Sequence, residues 1–343
     1  MKHSLARHAI VATAVSACAL PALAQSSVTV YGIADMYTQV GRANGQTTYK
    51  VESGGVAGSR LGFRGEEDLG GGNKALFTLE SGIGMDTGSV TQSGYMWGRQ
   101  AWVGLQSPTF GRLSLGRQYS LLFTAIDAAD PYSTSLGSIF ISGIMTSLGG
   151  ARLNNAVTWA SPKIGPVVLS LQGAAGEGAT GRQLLADLRY ASGPLTIDAA
   201  YTSKQALGNQ VNAQAGVLTS TYDFGSFKLY GEVQRVLNQT MAVGVNDNRL
   251  EYFLGAQMPF GPHRLSAAIG SSKVDNVTGS RASEISLGYQ YSLSLRTDLY
   301  AIASVINNGS ATAYTANGAT GLGPATVAGQ DVRAMQFGIR HRF

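Results

Sequence analysis

The feature that most constrains this chain is a two-residue alternation of apolar and polar side chains, repeated from one end to the other. Leu195, Ile197, Ala199 and Tyr201 alternate with Thr196, Asp198, Ala200 and Thr202. Across 250–258 the even positions are apolar and most odd ones are polar or small. Ile285, Leu287, Tyr289 and Tyr291 alternate with Glu284, Ser286, Gly288 and Gln290, and Met335, Phe337 and Ile339 with Ala334, Gln336, Gly338 and Arg340. A period of two belongs to strands with one face in water and the other on hydrocarbon or a core. Forty-five glycines, nine prolines, fifteen tyrosines and a mean hydropathy of +0.04 suit neither a soluble α/β protein nor a helical membrane protein. Beyond the N-terminal segment no run approaches the roughly 18 apolar residues of a spanning helix. A closed barrel is the other way to satisfy every backbone group in a membrane.

The N-terminus reads as a secretory signal. Lys2 and Arg7 supply positive charge, residues 9–20 are apolar but too short to span, and Ala22-Leu23-Ala24 is an A-x-A cleavage pattern. The expectation is a cleaved signal over 1–24 and an outer-membrane β-barrel over 25–343. A rival is the lipoprotein-like Val15-Ser16-Ala17-Cys18, which would put a lipid on Cys18. Cleavage after Ala24 is favoured and discards the only cysteine, which excludes disulfides and thiolate chemistry. The remainder carries 23 Lys and Arg against 20 Asp and Glu, a dispersed net charge that does not argue for nucleic acid as a partner.

Turn-forming residues divide the chain in a two-beat rhythm. Short turns are expected at 68–73, 107–111, 162–166, 192–194, 223–226, 260–262 and 293–296. Longer polar, Gly-rich connections fall near 43–56, 84–94, 121–150, 174–181, 204–211, 237–248, 274–280 and 307–330. Seven short turns and eight long loops separate sixteen strands, the even count of a bacterial barrel with short turns at one rim. The fold expected is therefore all-β, a 16-stranded antiparallel transmembrane β-barrel. A soluble β-sandwich also alternates, but strands of about ten residues flanked by Tyr, Phe or Trp match membrane height and interfacial aromatic girdles.

The stretch Ser59-Arg60-Leu61-Gly62-Phe63-Arg64-Gly65-Glu66-Glu67-Asp68-Leu69-Gly70-Gly71-Gly72 resembles the second-strand signature of the Gram-negative general porins, most of all those of β-proteobacteria. The resemblance continues through Val28-Thr29-Val30-Tyr31-Gly32, Arg99-Gln100-Ala101-Trp102-Val103-Gly104-Leu105, Leu115-Gly116-Arg117-Gln118-Tyr119, Arg152-Leu153-Asn154-Asn155 and Gly338-Ile339-Arg340-His341-Arg342-Phe343. It implies a homotrimer of barrels in outer-membrane lipid and lipopolysaccharide, each with a third loop folded inward to narrow its pore. It also implies that the terminal Phe343 is the signal read by the barrel-insertion machinery. The third loop is then 121–150, and its Ile139, Phe140, Ile141, Ile144 and Met145 suit packing on an inner wall.

A pore selects by the charge and width of its narrowest ring. Alternation places Arg60 and Arg64 in the lumen, opposite Leu61 and Phe63, and Arg152 opposite Leu153, Val157 and Trp159. Arg99 shares parity with Ala101 and Val103, and Trp102 could be the lipid-side residue; the resemblance puts the matching arginine in the pore. Arg117, at a strand end before the inward loop, is a weaker candidate. Asp127 and Asp130 on the third loop are the expected opposing charges. The acidic-aromatic motif common at the tip of the family's third loop is replaced by Pro131-Tyr132-Ser133-Thr134-Ser135-Leu136. Fewer loop carboxylates facing fixed guanidinium charges shift the expectation towards anions.

No catalytic or metal site is expected, and no cofactor. Gly176-Glu177-Gly178-Ala179-Thr180-Gly181 fits the G-x-G-x-x-G spacing without the βαβ context that gives it meaning, so it reads as a loop tip. The two histidines outside the signal, His263 and His341, form no zinc-binding pattern. Asn238-Gln239-Thr240, Asn276-Val277-Thr278 and Asn308-Gly309-Ser310 read as polar loop. The leading function is passive diffusion of small hydrophilic solutes and ions; the alternatives are a solute-specific channel with a saturable site, or an outer-membrane enzyme or adhesin.

Overall fold

In a computed structural model, residues 27–178, 181–207, 210–243, 247–317, 324 and 326–343 are described. The signal segment 1–24 with Cys18, and Ala179-Thr180 of the glycine-rich tip, lie outside them. The strands are β1 (Ser27–Ala43), β2 (Gln46–Ser53), β3 (Arg60–Gly70), β4 (Asn73–Gly82), β5 (Gln100–Ser107) and β6 (Gly111–Tyr119), then helix α1 (Leu121–Ala128). There follow β7 (Arg152–Ala160), β8 (Val167–Ala174), β9 (Gln183–Ser192), β10 (Leu195–Lys204), β11 (Ala213–Asp223) and β12 (Lys228–Leu237). The last are β13 (Arg249–Phe260), β14 (His263–Val274), β15 (Ala282–Ser292), β16 (Thr297–Asn308) and β17 (Val332–Arg342).

Sequential neighbours pair antiparallel, and β1 pairs β17 from Ile33↔Arg342 to Arg42↔Arg333, closing the sheet so that no edge is left unpaired. The seventeen segments make a barrel of sixteen strands. The difference lies in β2 and β3, which share one position. The outer half of β1 pairs β2 (Met36↔Ser53) and its inner half pairs β3 (Ile33↔Arg60), with 54–59 leaving the ladder between them. The expected loop at 43–56 is thereby corrected to a hairpin. Asn44 and Gly45, at φ 54° and 74°, make the tight turn that Asn-Gly favours. Within β2 the alternation is short, with Tyr49 and Val51 exposed on one face and Thr48, Lys50 and Glu52 on the other.

The barrel is inside-out relative to a soluble protein. Leu254, Leu287 and Val103 are 64, 63 and 59 % exposed on the outer face, whereas Gln234, Glu251, Ser286 and Gln336 are at most 1 % exposed on the inner face. Apolar side chains thus meet lipid, and polar ones meet the lumen or what fills it.

What fills part of it is 121–150. The segment begins with α1, a helix where the alternation predicts loop; the Ser120 hydroxyl caps it by accepting from the Phe123 amide at 3.1 Å. Its buried side chains Leu122, Ala125 and Ile126 join Leu136, Ile139, Ile144 and Met145 in one apolar cluster. Phe140 is half-buried and packs edge-on to Phe123. Polar bonds fix the segment to inward-facing wall residues. Gln257 Nε2 donates to the Pro131 carbonyl at 3.0 Å, the Tyr132 hydroxyl to the Ser266 carbonyl at 3.1 Å, and the Thr146 amide to Glu251 Oε2 at 3.0 Å. Glycines on the wall give it room: a Cβ on Gly270 would lie 2.4 Å from Ile139 Cδ1, and one on Gly288 2.8 Å from the Tyr132 ring. A fully buried residue such as Ile139 contributes about 1.5–3 kcal/mol by removal from water, so the packing outweighs the entropy of a free loop only because several such residues dock together.

Candidate functional site

Five consecutive barrel strands, β3 to β7, bring their loop-side ends to the wall beside α1, and the lumen arginines sit there. Arg60 opens β3, Glu80 lies near the end of β4, Arg99 immediately precedes β5, Tyr119 ends β6 and Arg152 opens β7. Glu80 and Tyr119 join the arginines. Arg99 Nε donates to Glu80 Oε1 at 2.7 Å, with Arg60 NH1 3.9 Å from the same oxygen. The second Glu80 oxygen accepts from the Tyr31 hydroxyl at 2.9 Å. The Tyr119 hydroxyl accepts from Arg99 NH2 at 2.7 Å and from Arg152 NH2 at 3.1 Å, and the Arg152 guanidinium lies 4.7 Å from the Tyr119 ring centroid. Arg60 is held from its other side, Nε donating to the Gly58 carbonyl at 2.8 Å. Three fixed positive charges therefore share one wall carboxylate.

Arg64 lies on the same face four residues further along β3, exposed to the lumen, 5.4 Å from the Tyr31 ring centroid. Arg117 does not join the group. Its Nε donates to the Gly98 carbonyl at 2.8 Å, its NH1 binds the Asn154 side chain, and its guanidinium stacks on Tyr95 at 4.7 Å. It shares the parity of Leu113 and Leu115, and its register partner Ala101 lies on the face of the exposed Val103.

The irregularity between Gly116 and Gln118 against β7 corrects one further expectation, and the start of β5 another. Leu153, expected on lipid with Val157, is only 6 % exposed while Val157 is 45 % exposed, because β7 changes phase around the left-handed Asn155 (φ 53°). Trp102 takes the lumen face, paired in register with the inward Thr78. Arg99 nonetheless reaches Glu80 because it precedes the regular ladder: its amide bonds the Glu80 carbonyl at 3.0 Å although Gln100 is the register partner of Glu80.

The loop carboxylates divide. Asp127 accepts from the Thr134 hydroxyl at 2.7 Å. Burial pushes its carboxyl above the ordinary value, against the pull of that hydroxyl and of the Arg60 and Arg99 charges. Asp130, expected to oppose the arginines, does not. It is 6 % exposed and turned into the loop, accepting from the Tyr132 and Thr134 amides at 2.8 and 3.2 Å and from the Ser138 hydroxyl. Burial pushes it up to about 6, the most strongly acting cause, with those hydrogen bonds opposing and the Asp127 charge adding. The carboxylate that pairs with the arginines is Glu80, which sequence reasoning missed. Its signal was present, since Thr78 and Glu80 alternate with Phe77 and Leu79.

At the opposite rim, Phe343 completes the closure of the barrel. Its amide and carbonyl exchange hydrogen bonds of 3.1 and 3.0 Å with Gly32, and its ring covers that glycine. Among the described residues no group of three or more His, Cys, Asp or Glu could hold a metal ion.

Against known proteins, the profile of the Gram-negative porin family matches residues 11–311. Outer membrane porin protein 32 of Delftia acidovorans is 32 % identical over 98 % of this chain and all of its own length. An anion-selective porin from Comamonas acidovorans superposes with a TM-score of 0.82 at 28 % identity, covering 93 % of this chain and 100 % of that one. In-vitro folded OmpT of Vibrio cholerae, solved in a trimer form, shares the fold at a TM-score of 0.68 and 16 % identity, covering 93 and 99 %.

Proposed function

Since the chain belongs to the Gram-negative porin family, we propose that the set Arg60, Arg99 and Arg152 is the narrowest charged ring of its pore and makes it prefer small hydrophilic anions. The protein is an outer-membrane porin, a closed 16-stranded barrel that admits solutes by diffusion. The observation carrying the preference is the charge count at the site: three guanidiniums against Glu80, with Asp127 alone adding from the loop. Arg64 extends the positive wall beyond the ring. A surplus of fixed positive charge in a narrow, low-dielectric passage raises the local concentration of anions and excludes cations. The selectivity in the name of the Comamonas porin is consistent with this reading.

The finer assembly is proposed on the same footing. The signal 1–24 is removed, Phe343 is read by the insertion machinery, and three copies associate in outer-membrane lipid and lipopolysaccharide, as the trimer form of the Vibrio OmpT suggests. Planar-bilayer recording across a KCl gradient tests the central claim. The expected reversal potential has the sign of chloride preference and collapses when Arg60, Arg99 and Arg152 are all replaced by Ser. Cation preference in the unmodified protein, or an unchanged potential in the triple variant, overturns it.

A further inference from the structure

Beneath the third loop, on the side of the short turns, the lumen wall and the loop enclose a cleft of about 70 Å³. The loop residues Pro131, Tyr132 and Ser133 roof it, and Arg264, Gln290 and Arg340 line its wall. Arg264 opens into the lumen directly after the turn at 260–262 and pairs in register with Gln290, so the cleft lies between the third loop and the rim that is periplasmic in such barrels. It shares no residue with the Arg60, Arg99 and Arg152 set.

The charges around it do not cancel. Arg340, 9 % exposed, donates from Nε and NH2 to Asp298 Oδ2 at 3.1 and 2.8 Å. Arg342 NH2 approaches the same oxygen at 2.8 Å. Asp35 is already engaged by the Tyr300 hydroxyl at 2.5 Å and by the Gly55 and Ala57 amides at 3.0 and 2.9 Å. Among the described residues the Arg264 guanidinium has no hydrogen bond and no ion pair. A guanidinium left unpartnered beside a second one presents a fork of donors suited to an oxyanion. The cleft is small, of a size to suit an ion of a few heavy atoms.

We propose that this cleft is a second anion-binding site, on the periplasmic side of the third loop, for a small oxyanion such as phosphate or a short carboxylate held between Arg264 and Arg340. It rests on the reading of the barrel as a water-filled pore and not on the preference of the upper ring. Two weak sites in series let an ion leave one while another enters, which conduction requires.

The test is the chloride current through the full-length porin in symmetric KCl, with inorganic phosphate added to each side in turn. Phosphate on the short-turn side is expected to reduce the current saturably. Arg264→Ser raises the half-blocking concentration about tenfold, the loss of one charged hydrogen-bonding partner, and Arg264→Lys, keeping charge but not the fork, falls between. Arg60→Ser shifts the KCl reversal potential yet leaves half-block from the short-turn side unchanged, so failure of the upper ring and failure of the cleft read out separately. Both Arg264 variants report their own insertion through their ordinary KCl conductance. Equal half-block in the unmodified protein and Arg264→Ser, or no phosphate effect at all, overturns the proposal.

Discussion

Glu80 and Arg99 form a buried ion pair in the lumen wall, Nε to Oε1 at 2.7 Å with 3 and 8 % of the two residues exposed. Removing one partner of such a pair leaves the other uncompensated, which typically costs about 3–5 kcal/mol. Glu80→Gln is therefore expected to lower the thermal unfolding midpoint. It also removes the wall carboxylate charge beside Arg60, Arg99 and Arg152, so the reversal potential in a KCl gradient moves further towards chloride. An unchanged potential in a correctly inserted variant would show that this pair lies outside the selective path.

Arg117 provides the complementary control. Its guanidinium is committed to Gly98, Asn154 and Tyr95 rather than to Glu80 or Tyr119. Arg117→Ser is expected to leave the reversal potential within the scatter of the unmodified protein, whereas Arg99→Ser shifts it measurably towards cations. A shift of equal size in both variants would contradict the assignment of the ring.

Docking of the third loop depends on glycine at 270. A side chain there would strike Ile139 Cδ1, which lies 2.4 Å from the position of a Cβ. Overpacking costs about 1–3 kcal/mol, and the loop is the part free to give. Gly270→Leu is expected to displace it, with a larger single-channel conductance step and weaker anion preference. A conductance equal to that of the unmodified barrel would place the loop outside the narrowest section.

Asp130 makes loop docking pH-dependent. Its carboxyl is pushed up to about 6 from an ordinary 3.8. A raised carboxylate means the folded state binds more protons than the unfolded one between those values, so stability rises as pH falls from about 6 towards 4 and is lost again as pH climbs through 6. The full shift corresponds to at most about 3 kcal/mol. The thermal midpoint of the unmodified protein should therefore gain on that of Asp130→Asn as the pH is lowered from 7.5 to 5. Parallel profiles across that range would remove Asp130 as the titrating group.

Much of this was legible before the fold. Alternation at 195–202, 250–258, 284–291 and 334–340 places Asp198, Glu251, Glu284 and Gln336 inward, and each is at most 3 % exposed. Arg60 and Arg152 were also placed in the lumen from their strand positions. The misses cluster where the two-residue period is interrupted. The irregularity near Gly116 moved Leu153 off its expected face, the step before Gln100 turned Arg99 inward, and the Asn44-Gly45 hairpin extended a strand across an expected loop.

The sequence by itself determined the inside-out barrel and most of its positive wall, because which side of a strand a residue faces depends only on its neighbours along the chain. The tertiary structure alone decided that Glu80 rather than Asp130 balances the arginines, that Tyr119 joins Arg99 to Arg152, and that the third loop rests on Gly270 and Glu251. Those are contacts between segments far apart in the chain, Thr146 and Glu251 being 105 residues distant. No local period encodes them: they arise only when closure of the sheet brings the opposing wall within reach of the loop.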